Sequence, residues 1–573
     1  MKKKLLFFSG VIGMLLCCAS CGNGTTANPD SISSDSLSIA LGETAFNQHC
    51  SGCHNFKHDG IGPQLSGLTG KVSADWILHF IKNPQQAISS GDQRAAQLFK
   101  RYKTQMPSFS SLPDHDLNAI IAFLNIHRLS VQHRDKKLGM AITNPVPERI
   151  GLSNLVVNLK LIRQFPPSID SGKHPAARIT KLDFEPGTGD LFVLDLRGKL
   201  YKLQKNDQPV LWLDMAKWKP AFLNEPGLAT GFGSFAFHPD YIRNGIFYTT
   251  HTEKAGTARA DFGYPDSIKV AMQWVLTEWK AQDPSASVFS GTSRELLRIN
   301  MVSGIHGVQE IAFNPFSKPG DKEYGLLYIG IGDGGSVDNG YPFLAHNLKM
   351  IYGTILRIDP RGRNSLNRQY GIPRDNPFAN NLDKIPKEIY AYGFRNPHRI
   401  SWTKKGEMLA CNIGQTNIES VNLIQPGHDY GWPVREGNFL LDPYENLDTL
   451  YPLPANDSVF KFTYPVAEFD HDEGNAISGG FEYQGETIPQ LKGKYLFGDI
   501  PSGRLFFIET ADIKSGKQAP VREWKTALNG HPETFRERIP AGRVDLHFGR
   551  DSKGELYILT KWDGKLYKLV SVQ

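Results

Sequence analysis

Gly198-Lys-Leu-Tyr-Lys-Leu203 returns letter for letter near the far end of the chain as Gly564-Lys-Leu-Tyr-Lys-Leu569. Each copy follows a related run, Gly189-Asp-Leu-Phe-Val193 in the first case and Gly554-Glu-Leu-Tyr-Ile558 in the second. A glycine leading a short apolar, aromatic run reads as a turn that delivers a β-strand. The same opening recurs at Gly245 (GIFY), Gly325 (GLLYI), Gly406 (GEMLA) and Gly493 (GKYLF). Partner runs follow most of them, such as Gly353-Thr-Ile-Leu-Arg-Ile358 and Gly503-Arg-Leu-Phe-Phe-Ile508. Six units therefore run from Gly189 to Leu569, at a spacing of roughly 60 residues. Matching first and last units are expected where a ring of blades closes with its ends side by side. The repeats predict an all-β, six-bladed β-propeller over residues 159–573, with an open β-sandwich as the alternative. Residues 251–293 and 361–386 interrupt the pattern and are expected as loops on the functional rim.

Composition agrees with this reading. The 55 glycines and 36 prolines in 573 residues are too many turn-formers for an all-helical fold. Hydrophobic residues at 40% and charged residues at 21% exclude a disordered chain and a multi-span membrane protein. The formal charge of +6 includes Lys2, Lys3 and Lys4; the remaining +3 is too small and dispersed to suggest a nucleic-acid partner.

Those three lysines open a leader. A basic start and the apolar run Leu5–Leu16, too short for a comfortable membrane span, end at Ala19-Ser20-Cys21-Gly22. The pattern resembles a bacterial lipobox, which implies removal of residues 1–20 and a lipid on Cys21. Residues 21–39 are then a polar tether. The chain is expected to be exported and anchored to a bacterial membrane, facing the periplasm. Among the six cysteines, Cys17 and Cys18 fall in the leader, and Cys411 sits in an apolar run as a small buried hydrophobe. There is no disulfide framework.

Cys50-Ser-Gly-Cys-His54 is the C-x-x-C-H pattern of c-type haem attachment. Two thiols at this spacing form thioethers to one haem, and the adjacent imidazole becomes the proximal iron ligand. The rival readings are a redox disulfide or half a zinc site, but no second cysteine pair and no βαβ pattern accompany it. Gly42 and Phe46 precede it at helical spacing, and Gly60-Ile-Gly-Pro63 follows as a turn positioned to cover His54. Leu112–Arg128 reads as an amphipathic closing helix with a Pro-Asp start. Thr104-Gln-Met-Pro107 places Met106 in a polar loop as the candidate distal iron ligand, with His79, His115 and His127 as rivals. Residues 40–130 resemble a class I cytochrome c. His/Met ligation raises a haem potential and suits an electron acceptor. The fold class expected is therefore multidomain: a small all-α cytochrome c domain, a linker at 131–158, and the propeller.

Five propeller segments resemble the glucose/sorbosone dehydrogenase family, in that family's order. They are Phe235-Ala-Phe-His-Pro-Asp-Tyr241, Ile331-Gly-Asp-Gly334, Ile372-Pro-Arg-Asp-Asn-Pro-Phe378, Tyr392-Gly-Phe-Arg-Asn-Pro397 and Asp429-Tyr-Gly-Trp-Pro433. The resemblance implies a six-bladed dehydrogenase that uses pyrroloquinoline quinone (PQQ) and Ca²⁺. It implies that His306, in Gly304-Ile-His-Gly-Val-Gln309, takes the substrate hydroxyl proton. It also implies that Arg395 and Asn396 contact the quinone, that Gly414 and Gln415 hold Ca²⁺, and that Arg543 joins the cofactor site. The chain departs from the family at four places. Ile305 stands where an acid precedes the base, and Ala229 where a glutamine assists it. Pro501-Ser502 stand near the position of a fifth-blade lysine, with Arg504 as a candidate substitute, and Arg543 is alone where a basic pair is expected.

The function expected is oxidation of a sugar or related alcohol or aldehyde, with electrons leaving through haem c to an external acceptor such as a soluble cytochrome or terminal oxidase. The alternative is a carbohydrate-binding propeller without dehydrogenase activity that keeps an electron-transfer haem module. No nucleophile elbow or paired-carboxylate signature supports a propeller hydrolase.

Overall fold

In the computed structural model, the six glycine-led runs each become the second strand of a four-stranded blade, and blades 5, 6 and 1 are joined edge to edge in one 13-stranded sheet. The structure describes residues 32–51, 53–56, 59, 61–102, 104–127, 138–170, 173–225, 229–444, 446–539 and 543–573. Blade 1 consists of Ile179–Phe184, Leu191–Asp195, Lys199–Leu203 and Pro209–Asp214. Blades 2 and 3 begin at Phe232–Phe237 and Glu310–Phe313, blades 4 and 5 at Pro397–Trp402 and Phe481–Glu482. In blade 6, Leu546–Arg550, Leu556–Thr560 and Lys565–Val572 are joined by Gly151–Gln164 from the start of the domain. The strand Gly151–Gln164 runs antiparallel to the C-terminal strand, pairing Leu159 with Leu569 and Leu161 with Tyr567. The chain's two propeller ends thus share one blade. The repeated hexapeptide forms the third strands of blades 1 and 6, which are neighbours.

The glycine rhythm has a backbone cause. Gly189, Gly245, Gly325, Gly406, Gly493 and Gly554 all have φ between 65° and 83°, a left-handed turn conformation that a β-carbon disfavours. Between blades, apolar faces pack at every seam. Phe192, Trp212, Phe247 and Trp279 fill seam 1–2, while Trp274, Leu327 and Leu356 fill seam 2–3. Tyr328 and Trp402 lie in seam 3–4, Phe469 and Phe497 in seam 4–5, and Trp524 and Phe548 in seam 5–6. Phe165, Val193, Tyr557 and Leu559 close the ring between blades 6 and 1. Cys411 is fully buried in seam 4–5, as its apolar run predicts.

Among the described residues the N-terminal module has five α-helices: α1 (Ser36–His49), α2 (Ala74–Lys82), α3 (Pro84–Ser89), α4 (Gln93–Tyr102) and α5 (Asp114–Ile126). Helix α1 crosses α5 at Gly42, where a β-carbon would lie 1.9 Å from the Ala119 carbonyl oxygen. One turn on, Phe46 packs against Phe56 and Phe123. The Pro-Asp start of α5 holds, with Pro113 as its N-cap and Asp114 and Asp116 in the first turn, where carboxylates favour the helix dipole.

Three expected boundaries shift. Helix α1 begins at Ser36, inside the expected tether, because Asp35 accepts from the Ser38 backbone N–H and caps it. The strand Gly151–Gln164 begins inside the expected linker, since blade 6 needs an outer strand from this end of the domain. Residues 251–293 are mostly blade rather than loop: Ile246–Lys254, Met272–Ala281 and Gly291–Met301 form long strands of blade 2. By contrast, residues 361–386 do lie in the connection between Thr354–Ile358 and Ile389–Tyr392 of blade 3. Residues 1–31, with the leader and Cys21, lie outside the described residues. No described helix is long and apolar enough to cross a membrane.

Candidate functional site

The helical module sits over the mouth of the propeller, and one cleft, part of it open to solvent, is lined by both. Cys50, Cys53, His54 and Met106 form its upper wall. Ile305, His306, Arg395, Asn396, Gly414, Gln415 and Arg543 line the propeller side. At the edges, Arg101 of α4 bonds Asp448 of the blade 4 insertion at 3.0 Å, and Lys269 of blade 2 reaches Glu43 of α1 at 3.3 Å. Such exposed pairs contribute little stability, about 0–1 kcal/mol each.

The upper wall suits a haem. The His54 Nδ1 lies 2.8 Å from the Pro63 carbonyl, which leaves Nε2 as the ring nitrogen for iron. Gly62 covers the ring so closely that a β-carbon would lie 2.4 Å from its Cε1. Burial pushes the His54 pKa down, favouring the neutral imidazole a metal needs. Burial also pushes the Cys50 thiol up to about 12 and the Cys53 thiol up to about 11. Phe46, Ile77, Ile81, Leu98 and Leu124 supply an apolar lining. Met106 is half-buried in this wall. The three rival histidines are elsewhere: His79 and His115 are exposed, and His127 stacks on Phe56 at 3.6 Å. Met106→Ala is expected to abolish the long-wavelength sulfur-to-iron absorption band and lower the haem potential, with attachment intact. An unchanged band would move the distal ligand to another side chain.

On the propeller side, His306 and Asp333 form a buried pair. The His306 Nδ1 lies 2.7 Å from Asp333 Oδ1, while the Trp432 indole N–H donates to Oδ2 at 3.1 Å and the Gly335 N–H donates to Oδ1 at 2.9 Å. Burial opposes the charge on Asp333, yet His306 and Arg395 beside it hold its carboxyl below the usual range. His306 itself has φ 51°, an uncommon backbone state for a residue with a β-carbon and one that clusters at functional sites. Asp333 was legible in Ile331-Gly-Asp-Gly334 only as a turn residue. Its spatial pairing with a histidine 27 positions earlier carries no local sequence signal.

Arg395 is 1% exposed. Its Nε donates to Gln415 Oε1 at 2.7 Å, Nη1 to the Gly414 carbonyl at 2.6 Å, and Nη2 to Asp338 Oδ2 at 3.4 Å. This arrangement does not favour calcium at the Gly414 carbonyl. The Gly414 carbonyl, one of the expected calcium ligands, faces a guanidinium, whose charge repels a dication. We derive no step through Ca²⁺. Arg504 is also not the missing fifth-blade cation, because Glu473 and Glu523 hold it at 2.7 Å each, outside the cleft lining. An amide does reach the place where Ala229 replaces the expected glutamine: Gln309 Nε2 lies 3.5 Å from the Ala229 carbonyl.

Deeper in the cleft, the chain presents cations and unpaired donors suited to an anionic, planar cofactor. Arg543 donates to Asp545 Oδ1 at 2.9 Å, and Lys561 lies 3.3 Å from Oδ2. His547 has both ring nitrogens buried without a partner, and so has His398 at Nε2. PQQ carries three carboxylates on a fused aromatic core, so this donor set fits it.

Comparison with known proteins agrees with the architecture. Residues 178–568 match the family described as Glucose / Sorbosone dehydrogenase, and residues 39–127 match Cytochrome c. HIPL1 protein of Arabidopsis thaliana is 27% identical over 373 residues, 58% of this chain and 52% of its own. Quinoprotein glucose dehydrogenase B of Acinetobacter calcoaceticus is 25% identical over 337 residues, 55% of this chain and 64% of its own. The chain thus spans less than two thirds of either relative's length. A solved structure described as glucose dehydrogenase shares the fold, with a TM-score of 0.50 at 18% identity, covering 70% of this chain and 99% of its own. A sheet ring with a histidine–aspartate pair at its mouth and a C-x-x-C-H module above it therefore belongs to the glucose/sorbosone dehydrogenase family, fused to an N-terminal cytochrome c domain.

Proposed function

We propose that this protein oxidises a sugar or a related alcohol or aldehyde with PQQ, and passes the electrons through its own covalent haem c to an external acceptor. The observation that carries the reading is the single cleft, which brings Cys53, His54 and Met106 together with His306, Arg395 and Arg543. The relative named a quinoprotein glucose dehydrogenase supports the choice of quinone. Bound PQQ supplies a two-electron acceptor, and haem c supplies a one-electron carrier.

The chain's own residues do the rest. Asp333 accepts from His306 Nδ1, so Nε2 is the nitrogen left to take the proton of a substrate hydroxyl. The charge on Asp333 stabilises the imidazolium that results. Arg395, fixed by Gln415, Gly414 and Asp338, places a permanent positive charge where a bound acceptor gains negative charge. The helical module covers the mouth above these groups.

The test is to load the protein with PQQ, with and without added Ca²⁺, and follow the haem spectrum against a panel of sugars and alcohols. Haem reduction by at least one substrate, dependent on PQQ, is the expected result. A carbohydrate-binding propeller without dehydrogenase activity is favoured by Ile305 and Ala229 at the two family positions; it predicts sugar binding with no haem reduction. We further propose an exported, lipid-anchored protein. Cys21→Ser is expected to move it from the membrane fraction to the soluble periplasmic fraction, and a variant that stays membrane-bound would refute the anchor.

A further inference from the structure

On the propeller axis, three blades turn buried polar groups toward the cleft without giving them protein partners. His547 comes from the first strand of blade 6 and is 3% exposed, with neither ring nitrogen hydrogen-bonded. His398, from the first strand of blade 4, is 4% exposed, with Nε2 unpaired, and the two rings stand 5.7 Å apart. Thr180 of blade 1 adds an unpaired Oγ1. Burial first, and then the neighbouring cations, keeps both histidines neutral. Each can therefore donate an N–H to an acceptor.

Several cations crowd these groups, and the buried carboxylates Asp195 and Asp499 lie among them. Asp545 is shared by two cations, Arg543 and Lys561. Glu310 is likewise shared by Lys181 and Arg399. Lys561 is 5% exposed on its side chain, and burial, opposed by Asp545, brings its pKa down to about 8. Buried donors without partners are costly on their own, and beside Lys561 and Arg543 they favour an anion.

We propose that Lys561, with Arg543, His547 and His398, forms a carboxylate seat on the propeller axis, and that it supplies from blade 6 the cation that blade 5 lacks at Pro501-Ser502. The seat takes a carboxylate of an aromatic polycarboxylate. That this is PQQ rests on the function proposed above. Lys561 holds the ligand by charge-assisted hydrogen bonding; it takes no part in proton transfer from substrate.

The test compares the holo-cytochrome carrying Lys561→Met, Lys561→Arg or Arg504→Met with the wild type, by equilibrium titration with PQQ. Lys561→Met is expected to weaken binding about 10- to 100-fold, the worth of a charged hydrogen bond. Lys561→Arg is expected to recover most of it, and Arg504→Met to leave it unchanged. Because Arg543 still neutralises Asp545, Lys561→Met is also expected to melt at or above the wild-type temperature without ligand. Wild-type affinity in Lys561→Met, or loss of affinity in Arg504→Met, would overturn the seat. A Lys561→Met protein that melts well below the wild type, with Lys561→Arg equally impaired in binding, would make the lysine structural and also overturn it. Should the wild type bind no PQQ, titration with benzene-1,3,5-tricarboxylate separates the two claims. Stabilisation of the wild type but not of Lys561→Met keeps the seat and discards the quinone, whereas stabilisation of neither discards both.

Discussion

His306→Ala is expected to slow sugar-driven haem reduction by about 10²–10⁴-fold, the usual contribution of a positioned general base. The variant removes the one imidazole that the fold both strains, at φ 51°, and orients, through Asp333 at 2.7 Å. PQQ affinity should change little, because Arg395, Arg543 and Lys561, the cations proposed to hold it, lie elsewhere in the chain. Asp333→Asn is expected to give a smaller loss: the ring keeps a hydrogen-bond partner but loses the charge that stabilises its protonated form. Stopped-flow absorbance at the haem band reads both. The haem spectrum at rest should be unaltered in each variant, since the module's core of Phe46, Ile120 and Leu124 is separate from the propeller seams. A wild-type rate in His306→Ala would remove the base assignment and leave the cofactor assignments standing.

The second large effect concerns attachment. Cys50→Ser with Cys53→Ser is expected to abolish covalent haem. Wild-type protein, denatured on a gel, should keep its haem absorbance, and the double variant should show none. The two thiols and His54 share one wall of the cleft, and no disulfide links the cysteines. A wild type whose haem is extracted by acidified organic solvent would contradict the attachment.

The ring of blades was legible because its punctuation is local. A turn with positive φ before each second strand demands glycine, and six such glycines are visible without any structure. The strand Met272–Ala281 was hidden for the opposite reason. Its flanks, Ala255-Gly-Thr and Gln282-Asp-Pro-Ser, carry loop-like residues, and a single long strand of blade 2 lies between them. The haem motif could be read from five letters because the chemistry needs its ligands adjacent. The propeller site could be read only by resemblance, since His306, Asp333, Arg395 and Lys561 come from separate turns that meet at the axis. Lys561, in Thr560-Lys-Trp-Asp-Gly564, looks like an exposed turn lysine until the fold buries it. The docking of the module on the propeller mouth left no sequence signal. Contacts across it, such as Arg101–Asp448, join residues far apart in the chain.

The shared cleft makes one claim that a single measurement tests: electrons pass within one molecule. A tethered acceptor is present at high effective concentration, so dilution leaves its rate unchanged. PQQ-loaded protein should be mixed with a saturating oxidisable sugar at protein concentrations spanning about two decades, with haem reduction followed by stopped flow. The account predicts a first-order rate constant that is the same at every concentration. An observed rate constant that falls in proportion to dilution would show transfer between molecules, and would contradict the joining of the two sites in one cleft.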